Sequence, residues 1–231
     1  MRSLWDLIVA GYLRVVEPFI GFLVRRQVRP NTLTTIGTLC TCATGVAFAA
    51  GHIRTGGWIL AITAVFDLAD GAVARRTNRS TTFGAFYDST LDRVADGFLF
   101  GGLIYFFAAD SWHRSMPMVI VGLIGMVATF TVSYARSRAE SLGIEMKGIG
   151  MMERGERIAL LAAPQALFGL ALDGAVLRLV FSLLSASVLV TAVQRITHVR
   201  VATQPAEDAG LAPAAESAPV ATGQAVEVPP S

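Results

Sequence analysis

Six apolar stretches dominate the chain, at residues 33–50, 57–75, 83–109, 117–134, 158–172 and 176–196. Most approach the ~20 residues that carry a helix across a bilayer, and the fifth is short, with room to begin earlier. Ahead of them the pattern changes. Over residues 1–29, Leu4, Trp5, Leu7, Ile8 and Leu13 are interleaved with Asp6, Arg14 and Glu17. That alternation predicts an amphipathic helix, broken or bent near Pro18, that lies in the membrane interface or packs on the protein's own cytoplasmic surface. Its acids, and the lack of a small-residue cleavage site, argue against a cleavable signal peptide. Pro30-Asn31-Thr32-Leu33-Thr34 reads as the entrance to the first spanning helix. Residues 201–231 lack aromatics and are rich in Ala, Pro, Glu and Gly, which predicts a disordered cytoplasmic tail with no part in chemistry. The expected fold class is all-α: a polytopic membrane domain of six transmembrane helices over residues 30–200, preceded by an interfacial amphipathic helix.

Composition agrees. With 53% hydrophobic and 16% charged residues and a mean hydropathy of +0.56, the chain falls outside the ordinary soluble class. The formal charge of +2 matters less than where the cations fall. One set of connections carries Arg25, Arg26, Arg29, Arg75, Arg76, Arg79, Arg136, Arg138, Lys147, Arg154, Arg157, Arg195 and Arg200. The other carries Arg54, Arg114 and Arg178. By the positive-inside rule both termini and the 76–82 turn are cytoplasmic, in a multi-pass protein of the cell membrane. No nucleic-acid partner is expected. Cys40 and Cys42 lie in an apolar run, too few for a disulfide framework or a thiolate metal site.

Candidate chemistry concentrates at the second and third stretches. Asp67 and Asp70 are spaced i, i+3 and Asp88 and Asp92 are spaced i, i+4, so each pair shares one helix face. Folding the chain at its turn into an antiparallel hairpin sets Asp70 opposite Asp88, and Asp67 close to opposite Asp92. Clustered carboxylates repel unless protonated or bound to cations, and oxygen-only sets favour Mg²⁺, Mn²⁺ or Ca²⁺. The bland alternative pairs separate acids with Arg75, Arg76, Arg79 and Arg93. Ionisable groups inside a span are costly, which favours a functional cluster.

The whole stretch reads D-x2-D-G-x2-A-R-x8-G-x3-D-x3-D, from Asp67 to Asp92, and it resembles the signature of the CDP-alcohol phosphatidyltransferases at every fixed position. The resemblance implies attack by an acceptor hydroxyl on the phosphorus next to the lipid of CDP-diacylglycerol, with CMP leaving. It implies two Mg²⁺ or Mn²⁺ ions per active site, held by Asp67, Asp70 and Asp88, and Asp92 as general base that also touches a metal. Pro30 and Asn31 would border the nucleotide. Gly71, Ala74 and Gly84 would let it approach the backbone, and Arg75 would fork onto phosphate. For Gly71 and Gly84 the alternative is close helix packing. A homodimer is implied as well. Asp96, outside the signature, is either in a structural ion pair or in a metal or acceptor role.

For the acceptor, Ser133-Tyr134-Ala-Arg136-Ser-Arg138-Ala-Glu140, then Glu153-Arg154-Gly-Glu156-Arg157, and Gln194-Arg195 look like elements of the family's inositol-phosphate branch. That likeness implies an acceptor-phosphate pocket of Ser133, Arg136, Arg138, Arg157 and Arg195, with Glu153 and Glu156 holding the arginines. Gly155 departs from the proline common there. The alternative for these cations is topology and contact with anionic membrane lipid. The leading expectation is transfer of phosphatidyl to inositol phosphate. Glycerol 3-phosphate as acceptor, a cation transporter and a non-catalytic lipid-binding relative are the rivals.

Overall fold

A computed structural model describes residues 16–208 apart from positions 78, 80 and 153; the side chains of Leu68, Asp70 and residues 205–208 lie outside that description. Every element is helical. The helical residues 16–25 (α1) are followed by α2 (Pro30–Ala49), α3 (Ile53–Arg76), α4 (Thr82–Ala109), α5 (Met116–Ser141), α6 (Arg154–Phe168) and α7 (Ala175–Asp208). Each of the last six packs on two others, in the cyclic order α2, α3, α6, α7, α5, α4 and back to α2.

The ring follows from small residues at the crossings. A Cβ on Gly102 of α4 would collide with the Gly45 backbone of α2, and one on Gly57 of α3 would collide with the Ala166 backbone of α6. Bare helix surface at such points lets backbones approach closely. Apolar side chains fill the ring at the end away from the 76–82 turn. Phe48, Leu60, Leu103, Phe106, Phe107, Leu177 and Phe181 are all essentially inaccessible there. Outside, large apolar side chains such as Leu39, Val46, Ile62, Val127, Leu183 and Val193 are exposed. An apolar exterior of this extent needs a non-aqueous surrounding. Among the described residues four helices, α2, α3, α5 and residues 175–204 of α7, are long and apolar enough to cross a membrane.

Several expectations change. Helix α6 begins at Arg154, four residues ahead of the expected start, and ends at Phe168. Gly169, Leu172 and Asp173 adopt positive φ and cannot continue it. Helix α7 runs to Asp208, past the limit drawn at residue 200, because extending an existing helix adds one hydrogen bond for each residue fixed. The start at Pro30 agrees with the entrance motif. Among the described residues the α3 and α4 backbones do not come into close contact, and α2 packs against both.

The amphipathic expectation for residues 1–15 lies outside the described residues. Helix α1 packs on the body of the protein. Val16, Ile20 and Leu23 are buried against Leu33, Ala69 and Val73, and the Phe19 and Phe66 rings meet edge-on at 5.9 Å. Glu17 receives a two-pronged bond from Arg76, at 2.7 and 2.9 Å. Pro18 sits inside this helical run.

Candidate active site

The space between α3 and α4 is spanned by one side chain. Arg154, the first residue of α6, sets its Nη1 3.1 Å from Asp67 Oδ2 on α3 and 2.6 Å from Asp92 Oδ1 on α4. Its Nε lies 3.7 Å from Asp96 Oδ1, one turn further along α4. One nitrogen touching both acids puts Asp67 and Asp92 at the same depth, as symmetry about the turn predicted. Of the four arginines named for separate pairing, Arg76 is taken by Glu17 and Arg93 lies 3.9 Å from Asp92; among the described residues the nearer partner of Asp67 and Asp92 is Arg154. Asp88 is exposed and within electrostatic reach of both Asp67 and Asp92. The side chain of Asp70 lies outside the described residues.

The position of Arg154 is set from α7. Arg195 donates through Nε to the Ile149 carbonyl at 3.1 Å and through Nη1 to the Val132 carbonyl at 2.7 Å. The Met151 amide donates to Thr191 Oγ1 at 3.2 Å. Gly150, at φ 143°, fits where a Cβ would come within 2.8 Å of Thr191 Cγ2. The loop after α5 is therefore tied down just before α6 starts.

The residues expected at the nucleotide divide into two groups. A Cβ on Gly84 would lie 3.3 Å from Asn31 Oδ1, and the Thr35 and Tyr87 hydroxyls are 3.0 Å apart, so the Pro30–Asn31 entrance meets the start of α4. Thr81 caps α4 by accepting from the Gly84 amide at 2.9 Å. On α3, Arg75 folds back over Gly71, where a Cβ would lie 3.3 Å from its Nη1, and Ala74 is half-buried beside them. Helix crossings elsewhere rest on Gly45, Gly57 and Gly102 instead.

The acceptor set is brought together in part. Arg157 is within electrostatic reach of Asp92, Asp96, Arg93 and Arg154, and Arg195 within reach of Arg136, Arg157 and Glu140. Arg157 Nε is buried with no hydrogen-bond partner among the described residues. Arg136 bonds Glu140 at 2.9 Å, and Ser133 is half-buried. Arg138 is exposed on the last turn of α5, and nothing among the described residues ties its side chain to the other arginines. Glu153 lies outside the described residues, and Glu156 is half-buried. A cavity of about 30 Å³, room for about one water, lies against Asp96, Thr129, Arg154 and Arg157.

Comparison with known proteins identifies the arrangement. The family model of the CDP-alcohol phosphatidyltransferases matches residues 27–199. The chain belongs to that family. It is thus a transferase, and the stretch from Asp67 to Asp92 lies within the matched residues. It is similar to the phosphatidylinositol phosphate synthase of Streptomyces avermitilis, 36% identical over 222 residues, which cover 94% of this chain and 89% of that one. Among solved structures it is similar to the Mycobacterium tuberculosis phosphatidylinositol phosphate synthase with CDP-DAG bound. The TM-score is 0.71 at 32% identity, covering 80% of this chain and 94% of that one. A second structure of that enzyme, in complex with manganese and citrate, gives a TM-score of 0.70 at 32% identity, covering 80% and 88%.

A CDP-alcohol phosphatidyltransferase that uses divalent ions needs hard oxygen donors facing one point. Among the described residues no three acids form a closed cation site. The Arg154 guanidinium stands as a cation between Asp67 and Asp92, whose carboxylate oxygens are donors of the kind that Mg²⁺ or Mn²⁺ takes. Arg154 was the residue that sequence reasoning undervalued, whereas the ion-pair alternative for Asp96 agrees with its 3.7 Å approach to Arg154. Arg154 stands in the Glu153–Arg157 element, but no spacing rule links α6 to Asp67, 87 positions away.

Proposed function

We propose that this transferase moves a phosphatidyl group from CDP-diacylglycerol to inositol phosphate, releasing CMP. Asp67, Asp70, Asp88 and Asp92 would hold two Mg²⁺ or Mn²⁺ ions. Bound there, such ions neutralise charge on the transferred and departing phosphates. Asp92 takes the proton of the attacking acceptor hydroxyl as the new phosphorus–oxygen bond forms and the bond to CMP breaks. Asn31 and Gly84 at one end, and Gly71, Ala74 and Arg75 at the other, border the nucleotide. The site and both termini are read as cytoplasmic, the domain as six spans and the assembly as a homodimer.

What supports the acceptor class is Arg157. A buried guanidinium nitrogen with no hydrogen-bond partner among the described residues, beside carboxylates and near Arg195 and Arg136, is costly unless an anion completes it. A phosphate on the acceptor supplies that anion, with Ser133 and Arg138 at its margin. Glycerol 3-phosphate would satisfy the same cations, so the two acceptors are compared directly. CMP release from CDP-diacylglycerol should be fastest with inositol phosphate. Arg157→Ala should raise the acceptor KM by ~10–100-fold, the loss of one or two charge-assisted bonds. An inositol-phosphate rate at background would overturn the reading.

A further inference from the structure

Helices α3 and α4 carry acids that face one another, yet among the described residues the two backbones do not come into close contact. Between them stands Arg154, which serves Asp67 and Asp92 with a single nitrogen. Guanidinium is built to fork onto one carboxylate with two parallel bonds. Here it does not. Its Nε is buried with no hydrogen-bond partner among the described residues, and Asp96 stays 3.7 Å away. Counting Arg93, 3.9 Å from Asp92, and Arg157, within electrostatic reach of Asp92 and Asp96, three cations face the four carboxylates of Asp67, Asp88, Asp92 and Asp96, so the cluster retains attraction for a further cation. The backbone ahead of Arg154 is anchored, but Gly155 follows it with nothing within 4 Å of its Cβ position, which leaves the side chain room to swing.

We propose that Arg154 is a resident counter-ion, which holds Asp67, Asp92 and Asp96 together in the cation-free protein and gives way when divalent ions are taken up. This rests on the reading of Asp67 and Asp92 as metal ligands. The arginine thereby keeps the acid-bearing helices at working distance without a cation and competes with the ions it keeps a place for. A structural ion pair would behave otherwise, since it would persist as the site fills.

The test uses the purified full-length protein without nucleotide or acceptor. Phenylglyoxal labelling of Arg154, read by mass spectrometry, should rise at least threefold when Mn²⁺ is added to EDTA-treated wild type. Arg195, with two backbone carbonyls as partners, is the internal control and should not change. Mn²⁺ binding, followed by electron paramagnetic resonance, should tighten about tenfold in Arg154→Gln and stay near wild type in Arg154→Lys. Arg154 labelling unmoved by Mn²⁺ overturns the proposal even if Arg154→Gln fails to fold. Tighter binding with unmoved labelling also overturns it, since that is simple charge repulsion. The metal reading fails separately, and the proposal with it, if wild type binds no Mn²⁺ or if Asp67→Asn leaves that binding unchanged.

Discussion

Replacing Asp92 with asparagine removes a charge and almost no volume. The lost carboxylate lies 2.6 Å from Arg154 Nη1, the shortest of that arginine's three contacts with acids. Breaking a buried ion pair ordinarily costs about 3–5 kcal/mol, because the survivor is left uncompensated. Here the survivor keeps Asp67 at 3.1 Å and Asp96 at 3.7 Å, and one member of a mutually repelling set has gone. The two changes oppose each other, and the net effect on stability should be within about 1 kcal/mol. At roughly 2–4 °C per kcal/mol for a chain of this length, the Tm in EDTA should move by less than about 4 °C. Turnover should not be spared. Losing a positioned base costs about 10²–10⁴-fold, and a metal ligand goes with it, so kcat should fall at least ~10³-fold. CMP release gives the rate and differential scanning fluorimetry the Tm, on the same preparation. Activity within tenfold of wild type would remove Asp92 from the base role. A Tm loss above about 10 °C would show that the carboxylate serves the fold instead.

Other perturbations reach the scaffold. Gly102→Leu drives a side chain into the Gly45 backbone and should cost about 3 kcal/mol or more, whereas Gly101→Ala, with nothing within 4 Å of its Cβ position, should leave the Tm unchanged. Arg195→Ala releases the Ile149 and Val132 carbonyls; the 142–153 loop should become more sensitive to limited proteolysis, and turnover should drop about tenfold or more as Arg154 loses its footing. At the opposite end, the His113 amide donates to Asp110 at 2.6 Å and holds that carboxyl below its ordinary range. The stability it contributes is present above the unfolded carboxyl value and is lost as pH falls through the depressed folded one. Asp110→Asn should therefore lower the Tm at pH 7, by an amount that shrinks as pH falls through the depressed folded value.

Helix identity was legible because apolar runs and Pro30 are local signals. So was the shared depth of Asp67 and Asp92, which comes from counting residues on either side of one turn. The order of helices around the ring was not legible. It depends on which glycines meet, and Gly45, Gly57, Gly71 and Gly102 look alike in sequence although the first, second and fourth form crossings. The helical part of the N-terminal segment was half legible: Val16, Ile20 and Leu23 share a face, but only α3 shows that protein covers that face. Arg154 was the largest omission. Its partners lie on helices distant in sequence, and a positive-inside count treats it as one more cytoplasmic cation.

The lack of close backbone contact between α3 and α4 makes their separation adjustable at a distance. Gly102 lies ten residues, about 15 Å of helix rise, from Asp92 on the same rod. That rod is braced by α2 on one flank and α5 on the other. A modest enlargement at the Gly45–Gly102 fulcrum would pivot α4 and alter the carboxylate gap without touching the acids. On the proposed reading of Asp67 and Asp92 as metal ligands, sensitivity to ion radius, Mg²⁺ against Mn²⁺, would be open to tuning from deep in the bundle.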